Sequence, residues 1–371
     1  MKLNELKLHH FRNYDHLNVK FAPGINVLIG DNAQGKTNLM ESIYVLALTK
    51  SQRTRNNRDL ITWHQPATQI KGLVQKKTGK LRLELDLGQS DKRAKINHLE
   101  QAKLSSYVGQ LNVVLFSPND LSIVKGAPKV RRHFIDTEFS QMSSQYLYNI
   151  AQYKEILRQR NRYLKDLHYH HANDLIYLTV LSDQLSAYGA EIIVQRVHLL
   201  HKLEKWSRKI DSEVSLSHEH LHLQYVTVLP RKQLKSVSQV YQSLKKLYAR
   251  NQKKEIQDKT TLLGPHRDDL KFIVNGRDVR KFGSQGQQRT SALSIKLAEI
   301  DLMREITGEY PLLLLDDVLS ELDSKRQTSL LRTIQDKVQT FLTTTNLSGV
   351  TQKLIKDPKI FRVVHGTIKS A

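Results

Sequence analysis

Eight consecutive residues carry the clearest chemistry in the chain. Gly30-Asp31-Asn32-Ala33-Gln34-Gly35-Lys36-Thr37 fits the pattern G-x-x-x-x-G-K-[ST]. Gly30 and Gly35 let backbone N–H groups reach phosphate oxygens, with Asp31, Asn32, Ala33 and Gln34 forming the loop between them. Lys36 supplies a charge for the β- and γ-phosphates, and Thr37 a hydroxyl for Mg²⁺. Far along the chain, Pro311-Leu312-Leu313-Leu314-Leu315-Asp316-Asp317 is an apolar run that ends in two carboxylates. Beside a P-loop, such a pair holds Mg²⁺ through Asp316 and orients or deprotonates an attacking water through Asp317. Lys36, Asp316 and Asp317 are therefore the candidate catalytic set, and Thr37 and Asp316 the candidate metal ligands. A third segment, Phe282-Gly283-Ser284-Gln285-Gly286-Gln287-Gln288-Arg289, precedes a helical pattern with Leu293, Leu297 and Ile300 on one face. Ser284 and Gln287 have capping-box spacing, and a helix N-terminus opened by Ser284 and Gly286 is an anion site.

These groups need particular elements behind them. Ile25-Asn26-Val27-Leu28-Ile29 reads as a short buried strand that delivers the chain to the loop. Leu39, Ile43, Leu46 and Ala47 fall at helical spacing after it, which predicts a helix with one apolar face. Upstream, Leu3, Leu6 and Leu8, then Leu17, Val19 and Phe21, predict two more strands, closed by a turn at Pro23-Gly24. Residues 69–75 and 80–87 predict a hairpin turning at Thr78-Gly79. From about 141 to 210 the chain is Pro-free, with Gly189 its one glycine, and predicts long helices. Within it Ile156–Leu164 and Ile192–Leu203 are expected to pack as an antiparallel pair. Strand-and-turn character returns after Thr260.

The chain has 371 residues and a formal net charge of +22. Residues 1–140 contribute +10 (22 basic, 12 acidic), 141–260 contribute +8 (19 and 11), and 261–371 contribute +4 (17 and 13). A basic tail is excluded and a broad basic surface is implied, with nucleic acid the natural partner. Arg53, Arg55 and Arg58, with Lys76, Lys77 and Lys80, are the candidate DNA contacts. Arg158, Arg160 and Arg162 fit phosphate contacts and a solvated helix face equally well. His218, His220 and His222 alternate as on one strand face, where solvation is a stronger reading than a metal site; His168, His170 and His171 read as helix surface. There is no base-reading module, so DNA contact should be to backbone, salt-dependent and sequence-tolerant. Without cysteine there are no disulfides, thiolate zinc sites or cysteine nucleophiles. With no signal peptide and no membrane-length apolar run, a cytoplasmic location is expected and a membrane partner is not.

The order of P-loop, Ser-x-Gly-Gln, strand-end carboxylates and Ser320-Glu321-Leu322-Asp323 resembles the ABC ATPase head. About 250 residues separate the P-loop from Ser284, a gap similar to that of the chromosome-maintenance branch. Phe11-Arg12-Asn13-Tyr14, Ser117-Pro118-Asn119-Asp120-Leu121 followed by Val124–Pro128 and Arg131–Asp136, and Leu263–Leu270 resemble the motifs of the RecF family. The resemblance implies an α/β fold: a P-loop mixed sheet with an antiparallel β subdomain, discontinuous over 1–140 and 261–371, plus a mainly helical lobe over 141–260. It implies ATP and Mg²⁺ as cofactors and nucleotide contacts from Arg12 and Asn13. It implies a homodimer formed on ATP, in which Ser284, Gly286 and Gln287 of one copy close on the P-loop of the other. It further implies weak, DNA-stimulated ATP hydrolysis used as a timing switch, and binding to double-stranded or gapped DNA. RecO and RecR are implied as partners in recombinase loading at gaps and in the SOS response. The alternative is a transporter-type ATPase subunit driving a membrane partner. Three positions depart from the ABC pattern. Asp317 stands where most ABC heads carry Glu. Thr345 or Asn346 stands in for the switch His. Ser117-Pro118-Asn119-Asp120 occupies the place of the Q-loop, with Gln110 nearby.

Overall fold

The computed structural model describes residues 1–214, 219–321, 323–345 and 355–370. His218, Leu322 and Asn346 lie outside the described residues. The chain divides into two compact units, residues 1–120 with 296–371 and residues 121–295. The expected boundaries at 140 and 261 differ from these. Pro128–Met142 folds as a helix with the other long helices, and Asp269–Val274 pairs with a strand of the middle segment, so both belong to the second unit.

The first unit holds two six-stranded sheets. The antiparallel sheet contains β1 (Lys2–Phe11), β2 (Tyr14–Lys20), β4 (Ala67–Lys76), β5 (Gly79–Gly88), β6 (Lys92–Ile96) and β7 (Leu99–Glu100) in the order β2-β1-β4-β5-β6-β7. The second sheet contains β3 (Ile25–Ile29), β8 (Val113–Phe116), β12 (Leu312–Leu315), β13 (Thr340–Thr344), β14 (Lys359–Val364) and β15 (Thr367–Ser370) in the order β15-β14-β3-β13-β12-β8. All its pairings are parallel except β14 with β15. Side-chain pattern separates the two sheets. β4 alternates buried and partly exposed residues, as a sheet with one wet face requires, whereas all four leucines of β12 are buried, as in a parallel strand covered on both faces. The expected hairpin is present as β4 and β5.

The helix Lys36–Leu48 packs against β1, β4 and β5 of the antiparallel sheet and against β8 and β13 of the parallel one. Met40, Glu41, Ser42, Tyr44 and Val45 are therefore buried as well as the expected apolar stripe. A helix between two sheets has no solvated face, so the single apolar face expected from Leu39, Ile43, Leu46 and Ala47 describes only part of its burial.

The second unit is built on the helices Pro128–Met142, Ser144–His168, Leu175–Val214 and Val237–Asp258, with a small sheet β11-β10-β9 of Leu221–Val226 (β9), Asp269–Val274 (β10) and Arg277–Asp278 (β11). Ser144–His168 and Leu175–Val214 form an antiparallel hairpin, but not in the expected register. Arg160 reaches Ser182, Tyr153 lies against Gly189 and Tyr146 meets Arg196. Segment 156–164 thus faces residues near 182, and segment 192–203 faces the start of the first helix. A helical period identifies a buried face, whereas the short turn between the helices sets the register.

Arg158, Arg160 and Arg162 do not act together. Residues two apart on a helix point in nearly opposite directions. Arg158 is exposed and paired with Glu155, while Arg160 is fully buried. Its guanidinium donates to Glu255 at 2.7 Å, Thr261 at 2.8 Å and Ser182 at 3.0 Å, and lies over the Tyr248 ring. Truncating one partner of a buried ion pair leaves an uncompensated charge, which costs about 3–5 kcal/mol. Glu255→Ala is therefore expected to lower the urea midpoint by that equivalent, and Arg158→Ala to leave it within about 0.5 kcal/mol of the wild type. Equal midpoints for the two variants would contradict this.

The other segments resembling family motifs form a second buried network here. Arg131 pairs bidentately with Asp269 at 2.7 and 2.9 Å. Asp136 accepts from Tyr146 and Arg196, both at 2.8 Å. Arg196 also donates to the Pro265 carbonyl at 2.7 Å, and Tyr225 donates to Asp268 at 2.5 Å. Burial raises the Asp268 carboxyl to about 6 and lowers His266 to about 4.

Candidate nucleotide site

In the parallel sheet β3, β13, β12 and β8 lie side by side, so their carboxyl ends form one edge. Ligands in open α/β sheets bind outside that edge. Gly30–Thr37 leaves it after β3, Thr343 stands near the end of β13, Asp316 and Asp317 follow β12, and Ser117 follows β8.

Backbone geometry explains the glycines. Gly35 has φ 117°, and a Cβ there would lie 2.7 Å from the Asn13 amide nitrogen. A Cβ on Gly30 would meet the Val363 carbonyl oxygen at 2.4 Å. The loop is braced from outside as well. The Gln34 carbonyl accepts from Asn13 Nδ2 at 3.2 Å and from the Gly366 amide at 3.0 Å, and the Gly35 carbonyl accepts from the Tyr14 hydroxyl at 3.0 Å. Lys36 is buried, with Nζ donating to the carbonyls of Gly30 at 2.6 Å and Asp31 at 2.9 Å. Its ammonium therefore lies across the loop. No side chain caps the helix Lys36–Leu48, whose N-terminal amides carry the positive end of the dipole.

Thr37 and Asp316 meet across 279 positions of sequence, the Thr37 hydroxyl donating to Asp316 Oδ1 at 3.1 Å. Thr343 donates to the same oxygen at 2.9 Å, and its hydroxyl oxygen accepts the Asp317 amide at 2.9 Å. Asp317 is held in the left-handed region, at φ 53°. Burial pushes the Asp316 carboxyl above its ordinary value, a shift opposed by the Thr343 and Thr37 hydroxyls. Thr343 was not among the sequence candidates; Thr345, which was, is exposed. The available signal was the run Thr343-Thr344-Thr345 after Phe341-Leu342, of which only Thr343 is buried. Gln110 bonds Lys76 and the Ser106 carbonyl ahead of β8, so Ser117–Asp120, not Gln110, follows that strand's carboxyl end.

Arg12 and Arg53 converge on Glu41, a fully buried carboxylate of the P-loop helix. Arg12 binds it bidentately at 3.0 and 2.9 Å, Arg53 at 3.2 Å and the Ser51 hydroxyl at 2.5 Å. Arg53 also donates to Asn38, and Asn38 to Asn13. Arg53 is thus engaged beside the P-loop although exposed; Arg55 and Arg58 are also exposed, with neither guanidinium in an ion pair among the described residues. Lys76, Lys77 and Lys80 lie at the β4–β5 turn, where Lys77 Nζ donates to the Gly308 carbonyl at 2.7 Å. β1 separates the two groups. Arg12 follows its last residue and bonds Leu60, while Lys2 at its other end pairs with Gln75. Ten residues of strand span about 30 Å, so the six basic residues do not form one patch.

Ser284 and Gln287 form the expected capping box. The Ser284 amide donates to Gln287 Oε1 at 3.0 Å, and the Gln287 amide to Ser284 Oγ at 3.1 Å. Gln288 ties this turn to the carbonyls of Val279 and Gly283. Among the described residues no group of three or more His, Cys, Asp or Glu side chains is arranged to hold a metal ion. His222 is a half-exposed strand residue bound to Glu204, and His170 and His171 lie in the turn after the helix that ends at His168.

The chain matches the family model for the RecF/RecN/SMC N terminal domain over residues 2–369. It is 60% identical over 369 residues to a DNA replication and repair protein RecF of Latilactobacillus sakei, covering 99% of this chain and 98% of that protein. It is also 60% identical over 368 residues to a RecF of Limosilactobacillus reuteri, covering 99% and 98%. A solved structure of the recombination mediator protein RecF-ATP in the RecFOR pathway superposes with a TM-score of 0.92 at 31% identity, covering 100% of this chain and 97% of that one. An Smc head bound to the C-winged helix domain of ScpA superposes at 0.56 with 14% identity, a likeness of fold alone.

Proposed function

The chain belongs to the RecF/RecN/SMC N-terminal domain family, and from that premise we propose that it is an ATP-gated DNA-binding protein of recombinational gap repair and replication-fork maintenance. One observation carries the reading: the 3.1 Å contact that joins Thr37 of the P-loop to Asp316 of the strand end. Two oxygens at that separation suit neighbouring ligand positions on Mg²⁺, whose bonds are about 2.0–2.1 Å. The uncapped helix N-terminus and the glycine loop suit a triphosphate. Mg²⁺, when bound, neutralises charge on the phosphate oxygens.

Each residue then has a task. Lys36 and the amides of residues 30–37 bind the phosphates. Asn13 holds the loop through Gln34, and Arg12, paired with Glu41 of the P-loop helix, is the family-type nucleotide contact. Thr37 and Asp316 are the metal ligands. Asp317, fixed by Thr343, orients the attacking water. Ser284, Gly286 and Gln287 of a second copy complete the site, so ATP binding is read out as dimerisation. Hydrolysis is slow, DNA-stimulated and serves to time release. RecO and RecR are the partners, and the work supports recombinase loading and the SOS response in the cytoplasm. Among the described residues no helix is long and apolar enough to cross a membrane. The repair-protein names of the relatives favour the DNA reading over a transporter subunit.

Size-exclusion chromatography with Mg²⁺-ATP and gapped DNA tests the proposal. The wild type should shift to a dimer and then to a larger complex; an unchanged elution volume with both would overturn it. Two variants test the water-positioning step. Thr343→Val removes the hydroxyl that fixes Asp317 and is expected to lower kcat about tenfold with little change in ATP affinity, while Thr343→Ser retains activity. Asp317→Glu adds one methylene of reach and is expected to raise turnover several-fold, roughly a kcal/mol of barrier. Turnover equal to wild type in both Thr343→Val and Asp317→Glu would remove this role.

A further inference from the structure

The solvent face near the start of β4 carries a side chain that the nucleotide site does not use. Trp63 is 85% exposed, the most exposed large apolar side chain among the described residues. It does not project from a loose loop. On one side Ile61 is buried and bridges Phe11, and the Thr62 amide donates to the His10 carbonyl at 2.9 Å. On the other, His64 is in the left-handed region at φ 66°, which turns the chain sharply toward β4. An indole held in water on a pinned backbone gains nothing for folding.

Its surroundings select a ligand. The same loop carries Arg55 and Arg58, both exposed, with neither guanidinium in an ion pair among the described residues. Asp59, the loop's one acidic residue, is occupied by the Thr54 hydroxyl. Beside the His10 anchor, His9 and His16 face each other across β1 and β2 with ring centroids 4.3 Å apart. Those two rings help line a shallow groove of about 360 Å³ together with Lys7, Gln69 and Lys71 and the apolar Leu8 and Leu17; Lys7 is paired with Glu5 and Lys71 with Glu84. A flat aromatic surface on the same exposed loop as two unpaired guanidiniums matches how sequence-tolerant proteins hold unpaired nucleic acid: bases stack on rings and phosphates meet cations. An intact duplex buries its base faces and offers the indole nothing to stack on.

We propose that Trp63, on the loop that also carries Arg55 and Arg58, is the platform on which an unpaired base of a gapped or tailed DNA stacks. This deepens the DNA-binding reading above and rests on it. At Arg53, ten residues before Trp63, the loop that carries the platform is joined to the nucleotide loop by a chain of hydrogen bonds. Arg53, in the same loop, donates to Asn38 at 2.9 Å, Asn38 to Asn13 at 2.8 Å, and Asn13 to the Gln34 carbonyl at 3.2 Å. Arg53 is on this account a link to the P-loop rather than a DNA contact.

The chain has two tryptophans, so a Trp206→Phe background makes Trp63 the sole indole reporter. In that background, with Mg²⁺-ATP present, gapped DNA should quench the fluorescence and blunt duplex of equal length should not. Stacking on an aromatic ring is worth about 1–3 kcal/mol per base, or about five- to a hundredfold in affinity. Trp63→Ala should therefore weaken gapped-DNA binding within that range while blunt-duplex affinity changes less than about twofold, and Trp63→Phe should restore most of the loss. Three results overturn the proposal: equal loss on both DNAs, no loss on either, or quenching by ATP alone, which would place the nucleotide's own base there. If the wild type binds neither DNA, the DNA-binding reading falls and this inference with it.

Discussion

Lys36→Ala is expected to lower Mg²⁺-ATP affinity by about a hundredfold or more and to abolish the ATP-dependent dimer. The Lys36 ammonium is buried and lies across the loop on the carbonyls of Gly30 and Asp31. Those neutral contacts are ones that phosphate oxygens can replace with charge-assisted bonds, worth about 1.5–3 kcal/mol each. Losing two of them amounts to about 3–6 kcal/mol, more than two orders of magnitude in a dissociation constant. The fold should survive. Leu39, Ile43 and Leu46 still anchor the helix between its two sheets, and Tyr14 and Asn13 still brace the loop. Isothermal titration calorimetry alongside thermal melting separates the two effects. A variant that melts like the wild type but has lost ATP affinity is the expected result; retained affinity would mean that Lys36 does not meet the phosphates.

Ser284→Asp should have an equally large effect of a different kind. Aspartate is as good an N-cap as serine, and a negative charge at a helix N-terminus is favourable. The capping role seen in the Ser284–Gln287 pair is thereby retained. On the proposed dimer, what changes is the charge this turn presents to a triphosphate bound by another copy. Like charges brought together at an interface cost several kcal/mol. The variant monomer should bind ATP as the wild type does, yet its dimer should weaken by about two orders of magnitude or more. Ser284→Ala is the control: it removes the cap, at about 1 kcal/mol of stability, and adds no charge. Sedimentation with Mg²⁺-ATP distinguishes them, and a Ser284→Asp dimer as tight as the wild type would exclude this turn from the interface.

The residues proposed to do the chemistry could be singled out in the sequence because such chemistry restricts their types and spacing. Gly30, Gly35, Lys36 and Thr37 can hardly be read otherwise, and Asp316 then needed only a buried strand to bring it to Thr37. The positioning groups were not legible. Thr343 looks like any β-branched residue of a strand, and its role appears only when β13 lies between β3 and β12. Glu41 looks like one charge on an amphipathic helix until two sheets bury that helix and leave the carboxylate to Arg12 and Arg53. For the same reason Arg53 read as free positive charge. Fold class followed from the motif order, whereas helix register and unit boundaries did not. The contacts that decide them, such as Arg160 with Ser182 and β10 with β9, join segments that local pattern cannot pair.

The central claim is that Gly30–Thr37 is half of a site which Ser284–Gln287 of another copy completes. Mixing Lys36→Ala with Ser284→Asp tests it most directly. A mixed dimer has one intact site, with the P-loop of the Ser284→Asp chain facing the unaltered turn of the Lys36→Ala chain, and one site altered on both sides. With Mg²⁺-ATP, each variant alone should stay monomeric, and the mixture should form a dimer holding one nucleotide. A mixture that stays monomeric, or a Lys36→Ala protein that dimerises unaided, would contradict the account.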